Sequence, residues 1–282
     1  MAAVRSTEKT EVRATPRAAE IVDRALVRDL APRELRALIR DGRWRGTSSD
    51  LAAGHAQATF VAVPRRLATD FLTFCQRNPR PCPVLEIVEP GTTTLRRLAP
   101  GADVRTDMSR YRVFKDGRAI AEPYDVTEHW RDDMVGVLIG CSRSFEIVLT
   151  EAGIPPRPVT TYLTNVQCEP AGPFRGRMIV SMRPIHRSQV SLAIQVTSRF
   201  PGFHGAPVHV GDPRALGIED LSRTNGSLGP VEIGPDDVPV FWGCSVTPSQ
   251  VAMDAGIEFM IVSYPGHMLV CDLLAREMAV SG

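Results

Sequence analysis

Apolar side chains recur along this chain at two different periods, and the period changes where turn residues stand. Between residues 32 and 42, Leu35, Leu38 and Ile39 fall at the spacing that gathers them on one helix face, with Pro32 at a first helical position and Asp41-Gly42 as a stop. Another helix is expected before it, after the N-terminal arm. Thr59–Val63 then reads as a strand and Leu67–Gln76 as a helix broken at Asn78-Pro79. Pro79, Pro81 and Pro83 enforce an extended crossing into a second strand, Val84–Val88. Lys115-Asp116-Gly117, between Tyr111–Phe114 and Arg118–Ala121, predicts a hairpin. From residue 129 onward helices alternate with short apolar strands at Val135–Ile139, Met178–Met182, Val208–Val210, Val238–Trp242 and Phe259–Val262. That alternation predicts α/β layers around mixed or mostly parallel sheets. Ser222–Gly234, rich in Gly and Ser, reads as a surface loop or lid, and residues 1–20 as a disordered arm.

One apolar segment recurs. Val135–Ile154 reads VGVLIGCSRSFEIVLTEAGI and Val238–Ile257 reads VPVFWGCSVTPSQVAMDAGI, 103 residues later, with nine of twenty positions identical and Glu151 facing Asp254. Unrelated segments agree at roughly one or two such positions. Each copy is a strand ending in Gly-Cys-Ser, then a helix closed by Ala-Gly-Ile. Ser144 and Thr247 stand at equivalent N-cap positions, and Gln250 is spaced to complete a capping box with Thr247 behind Pro248. Cys141 and Cys244 therefore sit on tight turns at helix starts, where free N–H groups and a partial positive charge suit a carboxylate and lower a thiol pKa. Dense packing of a buried Gly-Cys pair is the competing reading. The expected fold is α/β: two interlocked α/β subdomains with mixed sheets, related by an internal strand–GCS–helix duplication. The halves centre on residues 135–154 and 238–257 within one unit, 21–282.

Composition narrows the function. The 282 residues carry 33 basic and 32 acidic side chains, so bulk charge does not favour nucleic acid as a partner. Six cysteines without a CxxC pair argue against a zinc ribbon or a secreted disulfide scaffold. No apolar run is long enough to span a bilayer and no signal peptide is legible, so the expected setting is cytoplasmic, away from membranes. The GxGxxG and GxxxxGK[ST] patterns are missing, which disfavours nucleotide or NAD dependence.

Seven stretches carry a resemblance: CQRNPRPCP (75–83), DVRTDMSRYRV (103–113), LIGCSRSFE (138–146), AGPFRGRMIVSMRP (171–184), RFPGFHGAPVHVGDP (199–213), PVFWGCSVTPSQ (239–250) and PGHMLVCD (265–272). In this order and over most of residues 60–275 the chain resembles the DUF1445 family. That family is also called the UPF0317 or YcsI-like hydro-lyase family and is grouped with D-glutamate cyclase. The resemblance implies elimination of water from a small carboxylate and, by association, cyclisation of D-glutamate to 5-oxo-D-proline. It also marks two departures: Leu163 stands where relatives carry a basic residue, and Ser263 where they carry a His.

Several constellations could perform such chemistry. His204, His209 and Asp212 lie in one rigid Gly/Pro-rich segment, where an Asp-oriented His is suited to moving protons beside a carboxylate. With His267 as a third ligand the same residues allow a metal reading, and an internally hydrogen-bonded segment with Asp212 capping a turn is the structural alternative. Arg183 could hold a carboxylate bidentately or form an ordinary salt bridge. Ser142 and Ser245 lie beside the two cysteines, and the family match adds Arg77, Asn78 and Arg105. The leading expectation is a hydro-lyase acting on a small amino or hydroxy carboxylic acid without an organic cofactor or metal. In it the GCS turns and Arg183 bind the carboxylate, His209 or His204 moves protons, and Cys141 or Cys244 acts as acid, base or nucleophile. Alternatives are a cofactor-independent racemase or epimerase using Cys141 and Cys244, and a non-catalytic carboxylate-binding protein. A homo-oligomer is left open.

Overall fold

Among the described residues every strand pairing is antiparallel. The computed structural model describes residues 21–225 and 229–280. The expected arm, 1–20, lies outside the described residues. So do 226–228 within the expected loop, whose described remainder from 222 to 234 contains neither helix nor strand.

The chain enters through α1 (Arg24–Val27) and α2 (Pro32–Arg40), then β1 (His55–Pro64), α3 (Arg65–Arg77) and β2 (Val84–Val88). The hairpin β3 (Tyr111–Lys115) and β4 (Arg118–Ala121) follows, then β5 (Met134–Gly140) and α4 (Glu146–Glu151). Next come β6 (Thr160–Gln167), β7 (Arg177–His186), α5 (Val190–Ser198) and β8 (His209–Val210). The chain closes with β9 (Asp237–Gly243), α6 (Val246–Asp254), β10 (Phe259–Ser263) and β11 (Leu269–Leu274). The strands form a seven-stranded sheet in the order β2-β5-β1-β10-β3-β4, with β11 also on β1, and a four-stranded sheet in the order β6-β7-β9-β8.

The fold is mixed α/β, but the expectation of partly parallel sheets is corrected. β1 and β2, joined by α3, do run in the same direction, as a βαβ unit would. However, β5 lies between them, antiparallel to both. Strand–helix alternation reports how often a helix interrupts the strands. It does not report which strand later fills the gap that a crossover leaves open.

Both faces of the larger sheet are covered, which is why all seven residues of β5 are buried. On one face Val61, Val63, Val137 and Val262 pack with Phe71 and Phe74 of α3 and with Val251 and Ala252 of α6. On the other, Phe60, Leu138 and Ile261 meet Ile185, Val240 and Trp242 of the smaller sheet together with Phe145, Phe200 and Phe203. The two sheets thus share one core. Phe145 and Trp242, both fully buried, stand 5.7 Å apart between ring centres in it. Truncating either ring to Ala removes about 3–5 kcal/mol of packing.

Candidate active site

The Gly-Cys-Ser turns repeat one set of hydrogen bonds. After β5, Cys141 N–H donates to the Gln57 carbonyl of β1 (3.1 Å), and the Ser144 hydroxyl both accepts Gln57 N–H (2.8 Å) and donates to Gln57 O (3.2 Å). After β9, Cys244 N–H donates to the Ile179 carbonyl of β7 (3.0 Å), while the Thr247 hydroxyl accepts Ile179 N–H (3.0 Å) and donates to Ile179 O (3.2 Å). At each thiol the backbone N–H two residues on, of Arg143 and of Val246, favours the thiolate. These bonds correct the capping expectation. Ser144 lies inside a 3-10 turn (Ser142–Phe145), Thr247 lies within α6, and both hydroxyls stitch the turn to the neighbouring strand. Gln250 donates to Asp254 (2.8 Å), one helical turn on.

Two loops close over the turns. The Gly140 N–H donates to Pro83 O (3.0 Å), and a Cβ on Gly140 would overlap the Gly202 carbonyl. A Cβ on Gly243 would stand 2.5 Å from the Arg80 carbonyl oxygen. Only glycine admits these approaches. Arg80 and His204 bind each other reciprocally: His204 Nδ1 donates to Arg80 O (2.7 Å), and the Arg80 guanidinium donates to His204 O (3.3 Å) and Ala206 O (3.0 Å). His204 itself has φ 79°, a left-handed conformation costing about 1 kcal/mol in a side-chain-bearing residue, which these bonds offset.

Between the loops the side chains of the two turns meet. The Ser245 hydroxyl of the second turn lies close enough to the Cys141 thiol of the first to favour its thiolate. Arg183, on β7, is fully buried with its plane against Phe145 and Trp242. Its Nε and Nη2 both donate to Glu146 Oε1 (2.8 and 2.6 Å), Nη2 to the Ser142 hydroxyl (3.1 Å) and Nη1 to Ser181 (3.4 Å). The guanidinium fork is therefore engaged by a carboxylate of the protein.

Burial raises both thiols. Cys244 is pushed up to about 12, with the Val246 N–H and the Arg183 charge opposing burial and Cys141 adding to it. Cys141, partly exposed, is also raised by burial, although the Arg143 N–H, the Arg143 and Arg183 charges and the Ser245 hydroxyl all oppose it. Burial pushes His204 down to about 4, the Arg183 charge adding to the effect. With Nδ1–H held by Arg80, its Nε2 is left buried beside Gly140 without a hydrogen-bond partner. A buried imidazole nitrogen without a partner is costly, and such groups concentrate at functional sites.

The other candidates lie elsewhere. His209 pairs across strands with Phe241, on the sheet face opposite Arg183 and Trp242, and its Nε2 bonds Asp212 O (2.8 Å). Asp212 caps the short 3-10 turn after it and pairs with Arg214 (2.7 Å), which holds its carboxyl down at about 2. His267 is bonded to Ser109 (2.8 Å) between β10 and β11, and burial pushes it down to about 4. The three histidines of the metal reading are thus dispersed, and among the described residues no group of three His, Cys, Asp or Glu converges on a metal position. Arg77 donates to Pro170 O and Arg105 to Asp103 (2.7 Å). Asn78 ends α3, donating to Phe74 O and Glu169 O (both 2.8 Å). Among the described residues no helix is long and apolar enough to cross a membrane.

The sequence profile of the family described as D-glutamate cyclase matches residues 135–272, which contain both turns, Glu146, Arg183 and His204. A protein of Stutzerimonas stutzeri named "Putative hydro-lyase" is 51% identical over 259 residues, 90% of this chain and 97% of its own. A Thermoanaerobacter protein of that name is 49% identical over 257 residues, 89% of this chain and 97% of its own. "Putative hydro-lyase YcsI" of Bacillus subtilis is 47% identical over 89% of this chain and all of its own. This chain belongs to the D-glutamate cyclase family.

Within this D-glutamate cyclase family chain, the marked departures fall at different places. Ser263 accepts the Phe60 N–H (3.0 Å) inside the larger sheet. Leu163 stands on the edge strand β6 beside Ile179, half-exposed. A nitrogen repressor-like protein from Methanococcus jannaschii aligns with 86% of the chain at 10% identity and a TM-score of 0.37, too loose a likeness to speak for the fold. Sequence reasoning missed Glu146. It stands five residues after Cys141 in LIGCSRSFE, and its only available signal was membership of that motif, because its partner Arg183 is 37 residues away.

Proposed function

We propose that this member of the D-glutamate cyclase family eliminates water from a small amino or hydroxy carboxylic acid related to D-glutamate, by acid–base chemistry where the two Gly-Cys-Ser turns meet. The observation that supports this reading is the way both turns are tied to the same buried groups: Arg183 binds the Ser142 hydroxyl of the first turn (3.1 Å), and the Arg80 carbonyl that Gly243 of the second turn approaches holds His204 Nδ1 (2.7 Å). His204, kept neutral by burial and with Nδ1–H engaged, offers its Nε2 lone pair to a substrate proton. Cys141 and Cys244, both thiols at neutral pH, return a proton to the departing hydroxyl. For D-glutamate the amine closes on the side-chain carboxyl, one water leaves, and 5-oxo-D-proline results. Arg183, held by Glu146, supplies fixed positive potential that favours the negative charge developing on the carboxyl oxygens.

The recurrence of a cysteine at the same place in both turns also favours a second reading, a racemase or epimerase in which the thiols serve the two faces of one α-carbon. Both are tested by proton NMR in D2O with D-glutamate, L-glutamate and small hydroxy acids. Water-eliminated product, 5-oxo-D-proline in the case of D-glutamate, is the expected result. Deuterium at Cα with no loss of water replaces this reading with the racemase, and binding without either change replaces it with a carboxylate-binding protein.

A further inference from the structure

The 3-10 turn Ser142–Phe145 and the start of α4 form a wall with two different sides. On the inner side are Cys141, Ser142 and Phe145, against Arg183. On the outer side opens a cavity of about 850 Å³, to which Arg143 and Glu146 contribute from this wall, Arg28 from the segment after α1, and His55 and Gln57 from β1. That volume lies within the range of small-molecule sites, and neither cysteine lines it.

Its polar groups have unused capacity. Among the described residues Arg28 has no ion-pair or side-chain hydrogen-bond partner. Arg143 has only a long contact of 3.8 Å to Asp50, a mostly exposed carboxylate. Gln57 is buried, its amide donates to Ser48 O (3.0 Å) and Leu51 O (3.4 Å), and its Oε1 has no partner at all. Glu146 gives one oxygen to Arg183, and His55 uses Nδ1 on Ala52 O (3.2 Å), leaving its second nitrogen free. Two uncommitted guanidiniums beside open acceptors match a ligand that carries a carboxylate and an N–H or O–H donor.

We infer that this cavity binds a small amino or hydroxy acid, with Arg143 and Arg28 on its carboxylate and Gln57 and Glu146 accepting from its amino or hydroxyl group. The ligand's class rests on the water-elimination reading, whereas the place of binding rests on the cavity alone. Arg143 joins the two sides of the wall, because its side chain lines the cavity while its backbone belongs to the 3-10 turn that follows Cys141. Glu146 joins them again through Arg183.

The test is calorimetric titration of D-glutamate, 5-oxo-D-proline and a panel of small hydroxy acids into the full chain, with sulfate as the competing simple anion. The proteins are the wild type, Arg143→Ala, Arg28→Ala and, as a surface control, Arg33→Ala. The expected result is saturable binding of at least one acid, weakened about ten-fold or more in Arg143→Ala and less in Arg28→Ala, and unchanged in Arg33→Ala. Binding unaltered by both cavity arginine variants overturns the inference, as does no acid binding better than sulfate. Arginine-dependent binding without turnover keeps the cavity and discards the water-elimination reading. Turnover with arginine-independent binding does the reverse.

Discussion

Arg183 gives two of its donors to a single oxygen of Glu146, at 2.8 and 2.6 Å, and so ties β7 to the turn that follows Cys141. The guanidinium is fully buried and the carboxylate nearly so, their side chains being 0% and 17% exposed. Removing the carboxylate leaves a buried charge without a counter-ion, which typically costs about 3–5 kcal/mol. Glu146→Ala is therefore expected to lower the urea unfolding free energy by about 3 kcal/mol. Glu146→Ala/Arg183→Met should recover part of that loss by removing the stranded charge. A Glu146→Ala effect below about 0.5 kcal/mol would place this pair with weak surface ion pairs.

Gly140 and Gly243 are expected to be intolerant for a steric reason. A methyl group at either position meets backbone carbonyls, those of Gly202 and Arg80, which cannot rotate away as a side-chain end can. Gly140→Ala and Gly243→Ala should each cost roughly 1–3 kcal/mol, the range for overpacking. They should also displace the 78–83 and 200–206 loops. Gly202→Ala is the contrast, since its Cβ would meet only the Leu85 and Met278 side chains, at 3.2 and 3.8 Å. Thermal unfolding of the three variants gives the comparison, and equal melting temperatures contradict the steric account.

Where a signal was local, the chain could be read directly. Pro32 opens α2, the strand Val84–Val88 has its expected bounds, and the hairpin turns at Asp116 and Gly117, with φ of 50° and 73°. Long-range pairing was hidden. Nothing near β5 tells that it inserts between β1 and β2, and β6, β11 and α5 were not anticipated. The same division holds at the site. The two turns were visible because they repeat. The Arg80–His204 exchange and the Glu146–Arg183 pair were not, because each joins residues from distant motifs. His209 and Asp212, near His204 in sequence, part from it because His204 closes a 3-10 turn whereas His209 lies on β8 and Asp212 opens the next 3-10 turn.

Two buried histidines set an acid limit on stability. His204 and His267 are each held down to about 4, below the usual 6.5, mainly by burial. The unfolded chain then binds more protons than the folded one between about pH 6.5 and 4. Their contribution is whole above 6.5, declines as the pH falls through that window, and is lost below about 4. Each accounts for about 3 kcal/mol of pH dependence. Urea unfolding from pH 7.5 to 4 should show a steeper decline for the wild type than for His267→Gln. Parallel curves contradict the burial effect at that residue.

Six free thiols should react unequally. Cys141 is partly exposed, whereas Cys75, Cys82, Cys168, Cys244 and Cys271 are buried. Burial raises Cys168 to about 11 and Cys244 and Cys271 to about 12. Under native conditions one thiol per chain is expected to react with a disulfide reagent well before the rest, with a rate that rises with pH as thiolate forms. Cys141→Ala should abolish that phase. A fast phase that survives the substitution contradicts the assigned exposure.

The central claim is that the two Gly-Cys-Ser turns and His204 form one reacting site. Its most direct test is kcat/KM of folded Cys141→Ser, Cys244→Ser and His204→Asn on the acid that the wild type converts. The account predicts a fall of about 100-fold or more in His204→Asn and in at least one of the thiol variants, the scale of a lost proton-transfer group. Wild-type values in all three would contradict it.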